Sequence, residues 1–448
     1  MRPSPDLVDV CWAVPFLTAC ASFLFSMPKT NSGILFVLFV DHFGVSRETA
    51  SWPKTIESAA SSFMGFAIGA AQQRLSVYSV IAGGAVLCPI AVIASAFAPN
   101  MTWMSVTVGF LYGISFGLLI IGSSIYIVSY FESYQNTAAG IKFFGVSLTG
   151  AIGPSLLSHL ASTYGVQGCL LVTGGLLLNL IPLTLMLRNP RPLTWPQFFC
   201  RWCCTLAKNK AGMTISGETT LEGTQSMQNE FIERAQGEQN SISGKPDDKA
   251  TRASAIREKD ESHKEPRLPA SREQRAQQSD SFAHGDDMNR IIAQLAFVLR
   301  KPCFYVILVA MVAADFTLPL LGSTVVDYGR DKQLPPKDSS QLLTYLSLGA
   351  LCGYALIPIV SDKFSRKRCL IAALSFTLLS VCFGLMPHVY SSASTAAVTF
   401  FSGVQLGYVS TLKPVLVADY LGVHAIAVSW GLMGLASLPL TFCEPSIV

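Results

Sequence analysis

Eleven apolar stretches, separated by short polar links, account for most of the chain. Each is 18 to 30 residues long, and a helix needs roughly 20 mostly apolar residues to cross a bilayer. They cover residues 11–40, 52–71, 77–98, 102–128, 137–161, 168–187, 303–326, 341–360, 369–386, 393–417 and 423–442. Lipid cannot hydrogen-bond an open backbone, and the short alternating runs of a membrane barrel are absent from the sequence. The pattern therefore predicts an all-α membrane protein with about eleven transmembrane helices.

The composition supports the same class. Half of the 448 residues are apolar, only 13% are charged, and the mean hydropathy is +0.43. Soluble domains carry about 25% charged residues. A chain this apolar could not keep a soluble surface wet, which excludes a soluble enzyme. The net charge of +4 gives no reason to expect a nucleic-acid partner. The expected surroundings are a lipid bilayer.

The charged residues are concentrated in one segment. Residues 188–301 hold 33 of the 60 Lys, Arg, Asp and Glu residues. The central part of this segment has too few large apolar side chains to offset the entropy of ordering, so we expect a largely disordered loop. The loop divides the chain into a six-helix bundle, residues 1–187, and a C-terminal bundle, residues 302–448. The second bundle has only five predicted helices, and its twelfth helix is missing from the pattern.

Basic residues near the ends of the stretches predict the orientation. Arg74 follows the second stretch, Arg188 follows the sixth, and a Lys- and Arg-rich link, 362–368, follows the eighth. The links after the third, fifth and ninth stretches carry neither Lys nor Arg. Positively charged links stay in the cytoplasm. We therefore expect the N-terminus and the 188–301 loop to be cytoplasmic.

Cofactor chemistry is not indicated by the sequence. There is no nucleotide-binding loop, no pair of carboxylates in a soluble domain and no spaced set of metal ligands. We therefore expect neither an enzyme nor a bound cofactor or metal. Cys200, Cys203 and Cys204 lie just beyond the sixth stretch, where unmodified thiols, palmitoylation and metal binding are the three alternatives.

Ionisable side chains inside the stretches are the candidates for function, because placing a charge in a bilayer is costly. Lys29 follows Pro28, which can break the helix. It either lies in a solute path or extends to the outer interface. Asp315, midway along the seventh stretch, either couples protons, pairs with Lys29 or forms a structural ion pair. Glu57 is a further candidate that is expected near the outer surface.

Four more side chains complete the set of candidates for solute binding or coupling. Lys142 either offers a second positive charge or extends to the cytoplasmic face. Lys413, near the inner end of the tenth stretch, has the same alternatives, and its position favours extension to the surface. Phe25, one turn before Lys29, and Tyr408 either line a cavity or pack in the interior.

The link after the eighth stretch resembles the acidic-basic loop signature of the major facilitator superfamily. Residues 361–368 have the sequence SDKFSRKR. In that superfamily two helical bundles rock around a site near the membrane midplane. The resemblance implies that Asp362 caps a neighbouring helix and that Lys363, Arg366 and Arg368 hold a cytoplasmic gate. An ordinary positively charged cytoplasmic link is the alternative interpretation.

Finer features resemble the monocarboxylate transporter family within that superfamily. They are 25–29 (FSMPK) with Gly33 and Phe36, 51–52 (SW), 130–131 (YF) with Ala139, Gly140 and Gly145, and the run 407–422. The resemblance implies transport of small monocarboxylates or related solutes, either organic anions or neutral organic solutes, by alternating access, with or without protons. It also implies a plasma-membrane location, a solute-path role for Lys29, and a single-span immunoglobulin-type chaperone as partner.

The sequence departs from the family pattern at charged positions. Family members that carry protons with lactate have an Asp and an Arg four residues apart in the eighth span, where this chain has Ala350 and Tyr354. Three basic residues before the fifth span are replaced by 133–135 (SYQ). These losses and the missing twelfth helix favour an alternative function, that of a truncated, non-transporting membrane protein acting as a partner or sensor.

Overall fold

The computed structural model describes residues 8–72, 74–188, 292–364 and 367–447, and its regular structure there is dominated by helices. The predicted all-α class is confirmed. Most of the loop predicted over 188–301 lies outside the described residues, as do Cys200, Cys203, Cys204 and Arg366. Near the end of that segment, residues 292–299 form a helix.

Fourteen helices carry labels in chain order. Those before residue 188 are α1 (Ala13–Phe25), α2 (Met27–Thr30), α3 (Ser32–Phe43), α4 (Arg47–Ala71), α5 (Val77–Ser95), α6 (Met101–Met104), α7 (Tyr112–Tyr130), α8 (Gln135–Leu177) and α9 (Leu180–Met186). A π-helical segment, Ser105–Leu111, joins α6 to α7. Those after residue 301 are α10 (Pro302–Asp331), α11 (Pro336–Lys363), α12 (Arg368–Leu385), α13 (Ser392–Leu421) and α14 (Ile426–Ile447).

These helices trace the eleven predicted passages, although not as eleven separate helices. Seven helical stretches of the described chain are long and apolar enough to cross a membrane. One of them, Gln135–Met186, has 52 residues and covers the fifth and sixth passages. The prediction of two helices there is confirmed, because Gly165, with φ of 69° and ψ of −177°, leaves the helical conformation and divides α8 at a kink. A residue with a Cβ rarely adopts that backbone conformation, whereas glycine does so without strain.

Short polar residues mark where several helices begin. Ser46 accepts a hydrogen bond from the Thr49 N–H at the start of α4, and Ser76 does the same for Ser79 at the start of α5. An N-cap side chain of this kind satisfies one of the N–H groups that the first turn leaves free. These caps fix the first residues of two long helices at the ends of the polar links.

Small residues bring the helices of the second half into close contact. A Cβ added at Gly353 of α11 would overlap the carbonyl oxygen of Val404 of α13, and one at Gly349 would overlap that of Phe400. Gly403 and Gly407 of α13 make the same kind of approach to α11. In a bilayer, helices associate through such close packing, because lipid supplies no hydrophobic drive between them.

We expect Gly353→Ala to lower the melting temperature of the detergent-solubilised protein. The added methyl group must push α11 and α13 apart, and overpacking of this kind costs about 1–3 kcal/mol. The measurement is the loss of the monodisperse peak in size-exclusion chromatography after heating. Gly384→Ala on α12 is the matched control, because a Cβ there meets no atom within 4 Å. Equal melting temperatures for the two variants would contradict the packing argument.

Candidate functional site

The two halves of the chain meet where α4 and α11 end and where α8 and α14 begin. We call this the Asp362 end. Asp362, the penultimate residue of α11, accepts hydrogen bonds at the first residues of α8. Its Oδ1 accepts from the Asn136 N–H at 3.1 Å, and its Oδ2 accepts from the Thr137 N–H and Oγ1, each at 2.7 Å. A carboxylate at a helix N-terminus also interacts favourably with the helix dipole. The second half thus caps a helix of the first half.

An arginine extends this cluster. The Nη2 of Arg368 lies 3.2 Å from Asp362 Oδ1, and its Nη1 lies 2.5 Å from Asp419 Oδ2 at the end of α13. Arg368 is buried, and guanidinium groups suit such forked pairing with carboxylates. Of the residues predicted for the gate, Asp362 and Arg368 lie together, whereas Lys363 is exposed.

A seam of small residues forms a second contact between the halves, along α4 and α14. It consists of Gly65 and Gly69 facing Val428, Gly431 and Gly434, and we call it the α4–α14 seam. A Cβ at Gly65 would overlap the backbone of Gly431, and one at Gly434 would lie 2.5 Å from the Ser62 side chain. The seam is apolar, in contrast to the charged Asp362 cluster.

The contacts between the halves described so far are confined to one end of the molecule. A third contact lies at the same end. It is formed by Phe143 of α8, which stacks on Tyr354 of α11 with ring centroids 6.0 Å apart. Each contacting residue lies within nine positions of its helix terminus at the Asp362 end. At about 1.5 Å per residue, these contacts occupy roughly the first 14 Å of the helices.

Lys29 lies at a break in the first passage. The helix stops at Phe25, resumes as the single turn α2, and restarts at Ser32. Pro28 in that turn has no N–H to donate, which suits it to an interrupted helix. The Lys29 Nζ lies 2.6 Å from Glu57 Oε1 and 4.6 Å from the centre of the Phe116 ring. The Lys29 side chain is 34% exposed and that of Glu57 only 5%. Glu57 is therefore buried inside the helix bundle, next to the break in the first passage.

Aromatic residues stabilise the backbone on either side of the helix break. The hydroxyl of Tyr112 donates to the Phe25 carbonyl at 2.7 Å and accepts from the Lys29 N–H at 3.2 Å. Phe25 is buried against Phe116, edge to face, with centroids 5.6 Å apart. Phe25 therefore supports the Lys29 site from the interior. The sequence analysis missed Tyr112 and Phe116, whose only signal was their position in the fourth stretch.

A second ion pair lies in the other half. The Nζ of Lys413 lies 2.5 Å from Asp315 Oδ2 and 4.7 Å from the ring centre of Trp430. The side chains are 10% exposed for Lys413 and 40% for Asp315. The predicted extension of Lys413 to the surface is therefore wrong. In this conformation Asp315 pairs with Lys413, and not with Lys29 as one alternative held.

The other predicted candidates are buried away from both ion pairs. Lys142 is fully buried, which contradicts the alternative that it extends to the cytoplasmic face. Its ammonium donates to the Ile120 carbonyl at 2.8 Å and to Ser124 Oγ at 2.5 Å, which fastens α8 to α7. Tyr408 is also buried, and its hydroxyl donates to Ser361 Oγ at 2.8 Å, next to the Asp362 cluster.

No group of three or more His, Cys, Asp or Glu side chains gathers as a metal site within the described ranges. What the arrangement offers chemically is two partly buried, charge-compensated ion pairs, one in each half. Each pair has one member that is partly accessible. Such a site can bind a charged solute, because partial exposure leaves room for a new contact to the accessible charge.

Comparison with known proteins identifies relatives. A family model described as Major Facilitator Superfamily matches residues 18–438. Monocarboxylate transporter 9 of Pongo abelii is 27% identical over 188 residues, which are 40% of this chain and 35% of that protein. Monocarboxylate transporter 14 of Homo sapiens is 22% identical over 196 residues, 43% of this chain and 38% of that protein. The matched region thus spans little more than a third of these relatives.

A solved structure shares the fold. It is that of the proton:xylose symporter XylE, of the same superfamily, bound to 6-bromo-6-deoxy-D-glucose. The superposition has a TM-score of 0.59 and covers 99% of this chain and 90% of that one, at 13% sequence identity. At such low identity the likeness concerns the arrangement of the helices alone.

Proposed function

This chain belongs to the Major Facilitator Superfamily and is a multi-pass membrane protein. From that premise we propose that it moves a small organic solute bearing a carboxylate across the membrane by alternating access, with Lys29 as the anchor. The observation that supports the proposal is the Lys29–Glu57 pair at the break in the first passage. The curated relatives are monocarboxylate transporters by name, which agrees with a carboxylate as the bound group.

The anchor works through the difference in exposure within the pair. Glu57 keeps the ammonium of Lys29 compensated while the site is empty, since an unpaired charge in a bilayer is costly. A solute carboxylate can approach the exposed side of the ammonium and add a second anionic contact. Lysine serves this role as a point charge on a flexible stem, so it tolerates carboxylates presented at different angles.

Alternating access follows from the position of the contacts between the halves. The Asp362 cluster and the α4–α14 seam close one end, so the solute reaches Lys29 from the other end. Rocking of the bundles 1–187 and 302–448 would separate the Asp362 cluster and release the solute there. The basic links support a cytoplasmic location for the Asp362 end, the N-terminus and the 188–301 loop. The resemblance to the monocarboxylate transporter family supports a plasma-membrane location.

Glu57 and Asp315 are the candidates for proton coupling, because each is a carboxylate within hydrogen-bond distance of a lysine in the membrane interior. Protonation of either acid would release its lysine to bind an anion. Faster uptake of a carboxylate at acidic than at neutral external pH would support coupling. Equal rates would assign transport without protons.

The test is uptake of labelled monocarboxylates and neutral organic solutes by cells that express the full chain. Surface delivery is measured in parallel by biotinylation of intact cells. Saturable uptake above that of vector-transfected cells would support the proposal. Delivered protein that moves no compound of the panel would overturn it for those solutes.

That second result would favour a non-transporting partner or sensor. A specific observation supports this alternative. The two positions that carry the family's charged pair in the eighth span are occupied here by uncharged residues that pack against neighbouring helices. Ala350 lies against Gly407, and Tyr354 stacks on Phe143. A protein without transport would still present the closed Asp362 end to a partner.

A further inference from the structure

A short helical segment precedes α10 at the Asp362 end. Residues 292–299 are helical, and Arg300 and Lys301 connect them to the first residue of α10. α10 begins at the Asp362 end, because it runs antiparallel to α11. The stretch Pro302–Gly322 is long and apolar enough to cross a membrane. Residues 292–301, which we call the 292–301 segment, therefore lie at the boundary between lipid and water.

One side of the 292–301 segment packs on the helix bundle. Val298 is fully buried in the same apolar cluster as Phe304 of α10. The hydroxyl of Tyr305 donates a hydrogen bond to the Leu299 carbonyl at 3.0 Å, across the link between the two helices. The Tyr305 ring is itself exposed, at the level where membrane proteins concentrate Tyr and Trp. These contacts hold the segment in a fixed position beside the start of α10.

The other side of the segment is apolar and exposed. The exposed fractions are 53% for Ile292, 48% for Phe297 and 37% for Leu299. A short helix with apolar side chains on all sides is stable only when each side is removed from water. The bundle covers the side of Val298. Acyl chains at the membrane boundary would cover the exposed side, as they cover the apolar face of an interfacial helix.

Positive charge lies at the end of this exposed side. Arg300 and Lys301 are both exposed, and the 292–301 segment contains no acidic residue. The Lys301 Nζ lies 5.4 Å from the centre of the Phe297 ring, so charged and apolar groups are neighbours. Basic groups immediately beside a membrane-spanning helix attract anionic lipid headgroups. The charge of the segment thus complements a negatively charged lipid.

An open cleft joins the apolar part of the segment to the charged part. It is lined by Ala293, Ala296, Phe297, Arg300 and Lys301, and its volume is about 510 Å³. Sites for small molecules usually have volumes of about 300–1,000 Å³. The two alanines leave room for an acyl chain beside the Phe297 ring. The two basic side chains offer charged N–H groups to a phosphate or carboxylate.

We propose that this cleft binds an anionic phospholipid of the leaflet at the Asp362 end, with its headgroup at Arg300 and Lys301 and an acyl chain along Phe297. The lipid would hold the start of α10, the helix that carries Asp315. The inference does not depend on the transported solute. The proposed cytoplasmic location of the Asp362 end agrees with it, because anionic lipids are concentrated in the cytoplasmic leaflet.

The test measures binding of single lipids to the purified full chain in detergent by native mass spectrometry. The probes are dioleoylphosphatidylserine, which is anionic, and dioleoylphosphatidylcholine, which has the same acyl chains and no net charge. We expect phosphatidylserine to bind about tenfold or more tightly, because each nearby Lys or Arg contributes about fivefold. Equal affinities would overturn the proposal.

The double variant Arg300→Gln with Lys301→Gln should lose this preference. Arg188→Gln with Lys367→Gln is the matched control, because it removes the same two charges from exposed positions at the same end. The control should keep the preference, and an equal loss in both double variants would overturn the cleft as the site. Ala296→Trp keeps every charge and fills the cleft, so phosphatidylserine should bind to it about tenfold more weakly. Unchanged binding to this variant would likewise contradict the proposal.

Two soluble competitors distinguish a lipid from a free anion. Glycerophosphoserine carries the headgroup without acyl chains, and inorganic phosphate carries the anion alone. Neither is expected to displace phosphatidylserine, because both lack the apolar contact with Phe297. Displacement by either compound would assign a site for a soluble anion and overturn the lipid. Every variant is compared as a monodisperse peak in size-exclusion chromatography, so that misfolding is not mistaken for lost binding.

Discussion

Replacing Lys29 by alanine is expected to abolish saturable uptake in cells that express the protein at their surface. The change removes the anchor for the solute carboxylate and leaves the buried Glu57 without the lysine. Loss of a charge-assisted contact to the solute costs about 1.5–3 kcal/mol, equivalent to roughly tenfold to a hundredfold in a binding constant. The measurement is initial uptake rate, normalised to surface-biotinylated protein.

The matched control for this variant is Lys54→Ala, which removes an exposed lysine from α4 one turn before Glu57. It should transport normally. If Lys29→Ala fails to reach the surface, the neutral pair Lys29→Gln with Glu57→Gln removes both charges and tests the anchor in a folded background. Normal uptake by either delivered variant would refute the role of Lys29.

Replacing Asp362 by alanine is expected to open the Asp362 end. The variant loses the two backbone caps of α8, the Thr137 hydroxyl contact and one of the two acids that pair with Arg368. A hydrogen bond to a charged group contributes about 1.5–3 kcal/mol, so their combined loss should shift the conformational equilibrium by roughly tenfold or more. Uptake should fall accordingly, because the carrier would rest with its outer side closed.

A reporter cysteine measures this shift directly. Ala138 is fully buried next to Thr137 on α8, and Ala138→Cys in a chain lacking the native cysteines should react slowly with a thiol reagent. Adding Asp362→Ala should accelerate labelling about tenfold or more. Lys363→Ala is the control, since that side chain is exposed in the same link and should leave the rate unchanged. Equal labelling with and without Asp362 would exclude a gating role.

The fold class could be predicted from the sequence, because a long apolar stretch directly indicates a helix that is surrounded by lipid. In a bilayer, eleven apolar stretches of sufficient length can satisfy their backbone hydrogen bonds only as helices. Helix boundaries were less accessible, since they depend on single backbone conformations. α4 illustrates this, because it begins at Arg47, directly after the extended backbone of Ser46, and not at residue 52 where the apolar stretch begins.

For the site, the residue types were predictable and their partners were not. A charge in an apolar stretch is visible in the sequence, which is why Lys29, Glu57, Asp315 and Lys413 were all candidates. Their pairing depends on how far each helix is rotated about its axis, which is set by packing of small residues. Gly113 shows the effect, because a Cβ there would lie 2.8 Å from the Glu57 carbonyl oxygen.

Lys142 gives the opposite lesson. Its position near a helix end suggested a flexible side chain that could reach water or a solute. The structure instead surrounds it and satisfies its ammonium with a carbonyl and a hydroxyl of α7. Hydrogen bonds to neutral partners leave no mark in the sequence pattern, so a buried lysine of this kind could not be foreseen.

The α4–α14 seam also affects how the carrier responds to temperature. Separating the seam would admit water to an apolar surface that is now closed, and hydration of apolar surface raises the heat capacity. The equilibrium between the two conformations should therefore follow a curved, and not a linear, van't Hoff plot. Ionic strength would act chiefly on the Asp362 cluster, since only that contact is charged. The contributions of the α4–α14 seam and of the Asp362 cluster to closure can thus be distinguished by varying temperature and salt concentration.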